Sequence, residues 1–339
     1  MATASDSGNG NCFSCTKPWQ KSNNICGLNP ENTITSVAMR GELAEDIIAV
    51  GSDQMGSITT VRHFLFSCAP TSLLQGLSNG VKGILGLGRS RIALPSQLAT
   101  TLGFHRKFAV CLSSSAGVIL TGDGHSTGTD IFKSLTYTPL ITNQAGTLEQ
   151  YYINVKSIKI NGKRLSLNTS LLSMDQKGYG GTKISTVVPY TTLESTIYDT
   201  FVKAYSKTAT SMNMTRVAPV APFRVCFSTE GLDTTPVGPT VPTIDLVLQS
   251  EMVKWRIYGR NSMVKVSNEV MCLGFLDGGL NSRNSIVIGG YQLEDNLLEF
   301  NLVYQLTTEA LTFFLRPILS VPFSYSMIFL YLQYDIFEI

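Results

Sequence analysis

The chain has 339 residues, of which 43% are hydrophobic and 15% charged, and its formal net charge is +2. This length suffices for two domains or one large two-lobed unit, and the apolar content argues against intrinsic disorder. Acidic and basic residues are mixed along the chain without a dense run of Lys and Arg, which argues against nucleic-acid binding.

The first residues, MATASDSGNGN, contain no apolar stretch and are not a signal peptide. This predicts either a cytosolic protein or a chain that lacks its true beginning. Seven cysteines follow, singly spaced for the most part, as is typical of disulfide partners. Cys12 and Cys15 have the spacing of half a zinc site, but only Cys26 lies near them and the three histidines are scattered. We therefore predict no metal site and no cofactor.

Short apolar runs bounded by turn residues recur along the chain and are typical of strands. The predicted strands cover residues 45–50, 62–68, 107–114, 117–122, 151–162, 244–248 and 285–290. Helical patterns are sparse: 95–103 is one, and 191–209 is the other. The second pattern places five apolar residues on one face, namely Leu193, Ile197, Phe201, Val202 and Tyr205. Residues 141–150 have the composition of a linker between two halves.

Each half contains two apolar residues followed by glycine, in GVKGILGLGRS at 80–90 and in NSIVIGGYQLED at 284–295. The first of these could suggest a phosphate-binding loop. It lacks the Gly-Lys-Ser/Thr ending of a P-loop and the third glycine of a dinucleotide turn. We therefore interpret the glycines as points of close approach between packed strands.

Longer motifs in the same chain resemble pepsin-like aspartic proteinases, and more closely the plant group of xylanase inhibitors, extracellular dermal glycoproteins and basic globulins. The motifs that carry this resemblance lie at 41–50, 64–77, 80–115, 151–175, 180–201, 270–279 and 285–302. The resemblance implies an all-β, bilobal pepsin-like fold with few short helices. Its N-terminal lobe would occupy residues 11–140, without its first strands, and its C-terminal lobe residues 150–302.

Residues 303–339 depart from the ending of this family, so we predict an atypical tail and hypothesise a retained intron or an error in the gene model. Loss of the usual last strand would leave an unpaired sheet edge. The tail has no uninterrupted apolar span of about 20 residues, so no membrane crossing is predicted. By resemblance Cys226 and Cys272 could pair within the second lobe, and the cysteine without a partner could be Cys68 or Cys111.

Pepsin-like catalysis needs two carboxylates that share a proton, one from each lobe. Alignment with the family motif places Ser185 at the second-lobe aspartate and Val187 near its glycine. A serine hydroxyl cannot act as that carboxylate. Asp6-Ser7-Gly8 spells the motif without an apolar strand on either side, and Asp123 and Asp277 have the surroundings of turn residues. The sequence therefore predicts that the catalytic pair is absent and that the chain is not an enzyme.

The resemblance implies a different activity, inhibition of a microbial cell-wall glycoside hydrolase in plant defence. A loop would enter the hydrolase cleft and present a cation or hydrogen-bond donor to its two catalytic carboxylates. Our binding candidates are Arg256, Arg260, Asn261, Tyr291 and Gln292, although a solvated strand edge also explains the arginines. Two alternatives stay open: an aspartic endopeptidase, on fold alone, and a seed storage or ligand-binding globulin.

The same resemblance implies an extracellular or cell-wall location for the chain. Asn168 and Asn213 each begin an Asn-x-Ser/Thr motif and are glycosylation candidates if the chain enters the secretory pathway. Neither the identity of the hydrolase nor the oligomeric state follows from the sequence.

Overall fold

The computed structural model describes residues 11–12, 27–32, 34–35, 37–52, 58–77, 81–113, 117–122, 136–141, 150–302, 310–314, 328–329 and 336–338. Short strands dominate these residues, and the helices are few, which confirms the predicted all-β class. The α-helices within these ranges are α1 (Leu94–Leu102), α2 (Ser195–Ser211), α3 (Gly259–Ser262) and α4 (Gly290–Leu293), and 3₁₀ turns lie at Thr71–Leu74 and Thr169–Leu172.

The strands are numbered in chain order. Those of the first half are β1 (Asn11–Cys12), β2 (Gly27–Leu28), β3 (Glu31–Asn32), β4 (Val37–Ala38), β5 (Gly41–Ser52), β6 (Ile58–Cys68), β7 (Ile84–Gly86), β8 (Lys107–Cys111), β9 (Val118–Thr121) and β10 (Thr136–Ile141). β5 and β6 form a long antiparallel hairpin with a bulge between Asp46 and Ile48. Helix α1 adjoins this hairpin, and the Gln97 amide both donates to and accepts from the Leu65 backbone at 2.8 Å.

The second half contains shorter strands. They are β11 (Tyr152–Ile153), β12 (Ser157–Ile160), β13 (Lys163–Arg164), β14 (Thr182–Ile184), β15 (Thr191–Leu193), β16 (Arg216–Val217), β17 (Cys226–Ser228), β18 (Thr234–Thr235), β19 (Gly238–Pro239), β20 (Ile244–Val247), β21 (Lys254–Ile257), β22 (Met263–Lys265), β23 (Val270–Leu273), β24 (Phe275–Asp277), β25 (Ile286–Ile288) and β26 (Leu297–Asn301). The strand predicted at 151–162 is therefore two strands, β11 and β12.

One ten-stranded sheet joins the two halves, in the order β24-β15-β25-β14-β11-β10-β27-β26-β8-β9. In this order β27 is Ala310–Phe314. Three aromatic rings without exposed surface pack where the halves meet: Phe108 stacks on Phe300 at 4.8 Å, and Tyr151 lies 4.6 Å from Phe300. The Tyr151 hydroxyl also donates to the backbone oxygen of Leu87 at 2.9 Å. The core is therefore shared by residues that are far apart in sequence.

Segments beyond residue 302 add backbone pairings to this framework. β27 pairs with β10 and β26, β28 (Ile328–Phe329) pairs with β5, and β29 (Ile336–Glu338) runs parallel to β7. β26 pairs with β8 on one side and with β27 on the other, so both of its edges are paired. The lobe boundaries and the artefactual origin of residues 303–339 remain predictions.

Helix α2 begins four residues later than its sequence pattern predicts. Leu193, which we placed on the helix, lies in β15, where it pairs with Asp277 and Ile286. The Glu194 carboxylate then accepts hydrogen bonds from the backbone N–H groups of Thr196 (2.9 Å) and Ile197 (3.2 Å), which caps the helix and explains its start. Of the predicted face, Ile197, Phe201 and Tyr205 are buried and Val202 is only partly buried, while Tyr198 and Ala209 are buried in addition.

The two glycine signatures differ in structure. A Cβ atom on Gly289 would lie 2.4 Å from the carbonyl carbon of Tyr190, so close backbone approach requires glycine there. A Cβ atom on Gly86 would meet nothing within 4 Å. The close approach predicted for the first signature is therefore wrong for Gly86, whereas Gly289 of the second signature does make one. No helix in the described residues is long and apolar enough to cross a membrane.

Candidate functional site

Ser185 directly follows β14, which runs parallel to β25 in the central sheet. The residue has no exposed surface, and its backbone N–H donates to the Ile288 oxygen at 2.9 Å. Its hydroxyl accepts from the Val188 N–H at 3.4 Å. Among the described residues, no carboxylate or imidazole is recorded as a hydrogen-bond partner of that hydroxyl. The turn after β14 thus presents a buried hydroxyl with no described base to activate it.

Three of the predicted binding residues, Arg256, Arg260 and Asn261, line one shallow surface cleft. The rest of its lining is Val237, Tyr258, Asp295 and Asn296. The cleft forms where α3 packs on β19. A Cβ atom on Gly259 would lie 2.1 Å from the Pro239 oxygen, and Gly238 has a φ of 98° with the backbone N of Arg260 2.2 Å from the place of a Cβ. Two glycines therefore bring α3 close enough to β19 to place Arg260 and Asn261 at the cleft.

Arg260 is held in this cleft by an ion pair that water can reach. Its Nη1 donates to Asp295 Oδ2 at 3.0 Å and its Nη2 to the Pro236 backbone oxygen at 3.2 Å. The two charged side chains are 37% and 33% exposed. Asp295 adopts a left-handed backbone with φ of 56°, and its N–H donates to the Leu112 oxygen at 2.7 Å. An ion pair with this exposure is worth at most about 1 kcal/mol.

Arg256 is held far more tightly by a buried carboxylate. Its Nε and Nη2 donate to the two Asp245 oxygens at 2.6 and 2.9 Å, while Lys254 lies 3.5 Å from Asp245 Oδ2. Asp245 is only 1% exposed. Burial alone would raise the pKa of Asp245, but the hydrogen bonds and charges of Arg256 and Lys254 outweigh it and hold that pKa below its usual range. Much of the Arg256 guanidinium is therefore committed within the chain.

Asn261, Tyr291 and Gln292 belong to an internal hydrogen-bond network. The Gln292 oxygen accepts from the Thr191 N–H and hydroxyl at 2.8 Å each, and its amide nitrogen donates to the backbone oxygens of Asn261 and Gly274 at 2.9 Å. Gln292 has no exposed surface. Its buried position does not fit the predicted role in direct binding, since all four partners of its amide lie within the chain.

Asn261 and Tyr291 are partly buried and brace the same turn. The Asn261 amide donates to the backbone oxygens of Tyr291 (3.1 Å) and Glu294 (2.8 Å), and the Tyr291 hydroxyl donates to the Met263 oxygen at 2.6 Å. Burial, together with the Glu294 charge, raises the pKa of Tyr291. Asn261 lines the cleft and Tyr291 lies behind it, and the predicted contacts of both with a partner remain predictions.

Sequence reasoning missed Glu294, which borders this network. Burial, with a smaller effect of the Asp295 charge, raises the pKa of Glu294 to about 7. The same two causes raise the pKa of the Cys111 thiol to about 11. The signal in the sequence was the pair Glu294-Asp295 directly after the apolar Leu293, because adjacent carboxylates next to a buried residue disfavour each other's charge.

The predicted disulfide is confirmed. Cys226 of β17 and Cys272 of β23 face each other across an antiparallel pair and are bonded, with their Cα atoms 4.0 Å apart. Cys68 and Cys111 are both free among the described residues, so the structure does not single out either as the orphan. The side chains of Cys12, Cys15 and Cys26 lie outside the described residues.

The remaining predicted residues are placed as follows. Asn168 is exposed, and its Oδ1 accepts from the Ser170 N–H at 3.1 Å at the start of a 3₁₀ turn. Asn213 is exposed just after α2. Asp277 accepts from the Gly279 N–H at 3.0 Å, which fits the predicted turn role. Asp6 and Asp123 lie outside the described residues, within which no cluster of potential metal ligands occurs.

Comparison with known proteins identifies the family to which this chain belongs. Residues 3–123 match a family model described as xylanase inhibitor N-terminal, and residues 150–307 match one described as xylanase inhibitor C-terminal. The "Probable aspartic proteinase GIP2" of Nicotiana benthamiana is 52% identical over 315 residues, which cover 87% of this chain and 71% of that protein. The chain belongs to the pepsin-like xylanase-inhibitor family.

Other members of the xylanase-inhibitor family show the same relationship. Gamma conglutin 1 of Prunus dulcis is 45% identical over 295 residues, covering 83% of this chain and 65% of that protein. This chain thus spans about two thirds of the length of both relatives. Among solved structures, "edgp" has a TM-score of 0.79 at 50% identity, with 89% of this chain and 77% of that chain covered. Soybean basic 7S globulin has a TM-score of 0.73 at 33% identity, with 91% and 77% covered. The pepsin-like fold implied by the sequence motifs is therefore confirmed.

Proposed function

We propose that this chain is a non-proteolytic member of the xylanase-inhibitor family that binds and inhibits a microbial cell-wall glycoside hydrolase. The observation that carries the proposal is the match of both halves to models described as xylanase inhibitor. Because the chain spans about two thirds of its curated relatives, the activity is proposed for the chain as given and needs a direct test.

Ser185 supports the non-proteolytic part of the proposal. A pepsin-like site depends on two carboxylates that share one proton. At the end of β14 the chain has a buried serine whose hydroxyl accepts a backbone hydrogen bond from Val188. If Ser185 occupies the aspartate position, as the sequence motif predicts, only one carboxylate could remain. Loss of one member of a catalytic unit that acts together costs several orders of magnitude in rate.

The cleft at α3 supports the inhibitory part. Glycoside hydrolases carry two catalytic carboxylates that flank the scissile bond. Arg260 is paired with a half-exposed Asp295 by a bond that contributes little, so its guanidinium can turn to a partner's carboxylate at small cost. Arg256 cannot do so, because Asp245 beneath it would remain buried and charged. Of the two predicted arginines, Arg260 is therefore the better inhibitory residue.

A panel of microbial xylanases and xyloglucanases tests inhibition with the purified full chain. We expect inhibition of at least one enzyme, weakened about tenfold or more in Arg260→Ala, which is about 1.4 kcal/mol of binding free energy. Lys207→Ala on the exposed side of α2 is the matched control and should leave inhibition unchanged. Absence of inhibition across the panel contradicts the proposal. Unchanged inhibition by Arg260→Ala would mean that the contact surface does not include Arg260.

Cleavage of a denatured protein at acidic pH tests the absence of proteolysis. We expect no cleavage by the wild-type chain or by Ser185→Ala. Cleavage that pepstatin blocks would show that this chain is an aspartic endopeptidase and that our interpretation of Ser185 is wrong.

A storage or ligand-binding globulin is the second candidate. It is favoured by the likeness to soybean basic 7S globulin and to conglutin gamma of lupine seeds, the latter with a TM-score of 0.74 at 33% identity. Neither inhibition nor cleavage would then be observed. We also propose an extracellular or cell-wall location with glycans on Asn168 and Asn213, both of which are exposed. A mobility shift of the secreted chain on enzymatic deglycosylation, lost in Asn168→Gln/Asn213→Gln, tests it.

A further inference from the structure

The outer face of the four-stranded sheet β13-β12-β20-β21 carries a row of charged side chains. Arg164 pairs with Lys159, Lys159 with Asp245, and Asp245 with Arg256, so these four residues lie in one row on one face. Lys254, two residues before Arg256, points to the same side. The opposite face carries the buried core residues Ile158, Leu246 and Trp255. We refer to Lys159, Arg164, Lys254 and Arg256 as the basic sheet face.

Cations exceed carboxylates on this face. Its four cations are accompanied by two acids, Asp245 within the row and Glu251 in the turn between β20 and β21. Asp245 is 1% exposed and lies beneath Arg256 and Lys254, so the face presents little of this negative charge to solvent. Glu251 is 60% exposed and pairs with Lys159 at 2.5 Å. The side chains of Lys159, Arg256 and Lys254 are 21%, 34% and 36% exposed, so the excess of positive charge on this partly exposed face attracts anions.

Glu251 lies within the field of several of these cations. The hydrogen bond from Lys159, followed by the charges of Lys159, Arg164 and Lys254, lowers the pKa of Glu251. One carboxylate thus senses three cations from three different strands. A carboxylate supplied by another molecule would meet the same field.

The sheet fixes the spacing of the cations before any ligand arrives. Neighbouring strands are about 4.8 Å apart, and residues two apart on one strand are about 7 Å apart. Buried Asp245 holds Nε and Nη2 of Arg256, so Arg256 keeps this pair and takes part only through its charge and its remaining Nη1 donor, in a position that is fixed before binding. The face therefore offers a fixed, flat set of cations suited to an extended polymer with regularly spaced anions.

Within the chain, the cations of this face already pair with carboxylates, namely those of Asp245 and Glu251. Trp255, the only aromatic side chain on the four strands, is 1% exposed and on the opposite face, and Tyr258, just after β21, lies beside Arg256 at the cleft, so the bases of a nucleic acid would find at most one stacking partner at the edge of this face. We propose that the basic sheet face binds a linear polyuronate, a sugar chain with a carboxylate on each residue, laid across strands β13, β12, β20 and β21. This binding goes beyond glycosidase inhibition through Arg260: Lys159, Arg164 and Lys254 lie outside the Arg260 cleft, and Arg256 belongs to both surfaces.

Binding of the purified full chain to de-esterified polygalacturonate, measured by affinity electrophoresis at low and at physiological ionic strength, tests the proposal. We expect retardation that weakens as salt rises, because exposed ion pairs are screened. Fully methyl-esterified polymer, which lacks the carboxylates, should not retard the chain. The variant Lys159→Gln/Arg164→Gln should bind about fivefold or more weakly.

Two further variants separate this site from general charge effects and from misfolding. Lys203→Gln/Lys207→Gln removes the same charge from the exposed side of α2 and should bind within about twofold of wild type. Glu251→Gln removes the exposed carboxylate of the face and should strengthen binding about twofold or more, a gain that an unfolded variant cannot produce.

The proposal is overturned by any of three results. They are no binding of de-esterified polymer at low salt, an equal loss in the α2 control, or unchanged binding in Glu251→Gln. Binding of single-stranded DNA as tight as that of polygalacturonate would also overturn it, because the site would then be a general polyanion surface. Inhibition of a glycosidase by Lys159→Gln/Arg164→Gln at the wild-type level would show that the two functions are independent.

Discussion

Two arginine–aspartate pairs place their arginines at the same cleft and have different energetic roles. Arg256–Asp245 joins two adjacent strands, and its carboxylate is 1% exposed. Arg260–Asp295 joins a short helix to a turn, and both its side chains are about one third exposed. Identical residue types therefore give a structural brace in one case and an exchangeable surface contact in the other. The depth of the carboxylate decides between these roles.

The largest expected effect is that of Arg256→Ala. Removing the guanidinium leaves Asp245 buried with only Lys254 nearby, so we expect the free energy of unfolding to fall by about 3 kcal/mol. Chemical denaturation at neutral pH measures it. A loss below about 1 kcal/mol, the range of surface pairs, would remove the distinction between the two pairs.

The pH dependence of that loss provides a second readout. The folded-state pKa of Asp245 is lowered, so its stabilisation is present above the ordinary pKa of 3.8 and is lost as the pH falls through the folded-state value. The difference between wild type and Arg256→Ala should therefore be full at pH 7 and shrink below about pH 4. A difference that stays constant down to pH 2 would show that the variant acts through packing alone.

An intermediate effect is expected when both members of the buried pair are removed. Asp245→Ala/Arg256→Ala should be more stable than Arg256→Ala by about 1–2 kcal/mol, because no uncompensated charge remains in the sheet. The corresponding double variant Asp295→Ala/Arg260→Ala should differ from Arg260→Ala by less than about 0.5 kcal/mol. Equal recovery in the two cycles would mean that burial does not separate the pairs.

Glu294→Gln should stabilise the protein by about 1 kcal/mol above pH 7, which is less than the full pKa shift would give because Glu294 is partly exposed to water. The folded-state pKa of Glu294 is raised from 4.5 to about 7, with Asp295, Tyr190 and Tyr291 facing it. A raised carboxyl pKa means that stability falls as the pH rises from 4.5 to 7, so the gain of the variant should vanish near pH 4. Unfolding curves at pH 4 and pH 8 measure it, and a gain at both values would contradict the assignment.

The smallest effect is expected for Arg260→Ala. Loss of its half-exposed pair should cost at most about 1 kcal/mol, and raising the salt concentration should reduce the difference from wild type. Any loss of glycosidase inhibition by this variant would then reflect the contact surface and not the stability of the fold. A loss near that of Arg256→Ala would assign Arg260 a structural role.

Much of the fold could be predicted from local patterns. Helix α1 at Leu94–Leu102 lies within one residue of its predicted bounds, because its apolar period and the following Gly103 with φ of 75° are both local signals. The start of α2 was wrong, since Thr191–Leu193 has a helical apolar spacing but pairs with β24 and β25. The spacing of apolar residues within a segment carries no information about its pairing with strands almost a hundred residues away.

The candidate site was less predictable for the same reason. Gln292 in GGYQLED looks like an exposed loop residue, yet its partners include Thr191, 101 positions earlier. Asp245 interrupts the apolar run IDLVL, which indicates a buried carboxylate that needs a cationic partner. Only the register of β20 with β21 identifies Arg256 as that partner. Family motifs correctly indicated the Cys226–Cys272 disulfide, which spacing alone leaves undetermined.

Strand β27 has a consequence for how the protein is made. It lies between β10 and β26 in the sheet, and β26 pairs with β8 on its other side. The partners of β8 and β10 are therefore synthesised about 170 to 190 residues after them. The backbone groups of β8 and β10 that face these partners remain unpaired on the ribosome until nearly the whole chain has emerged. Nascent chains stalled before residue 297 should therefore expose unpaired strand edges that chaperones can bind. Synthesis of the final segment, rather than of the first half, should end this binding.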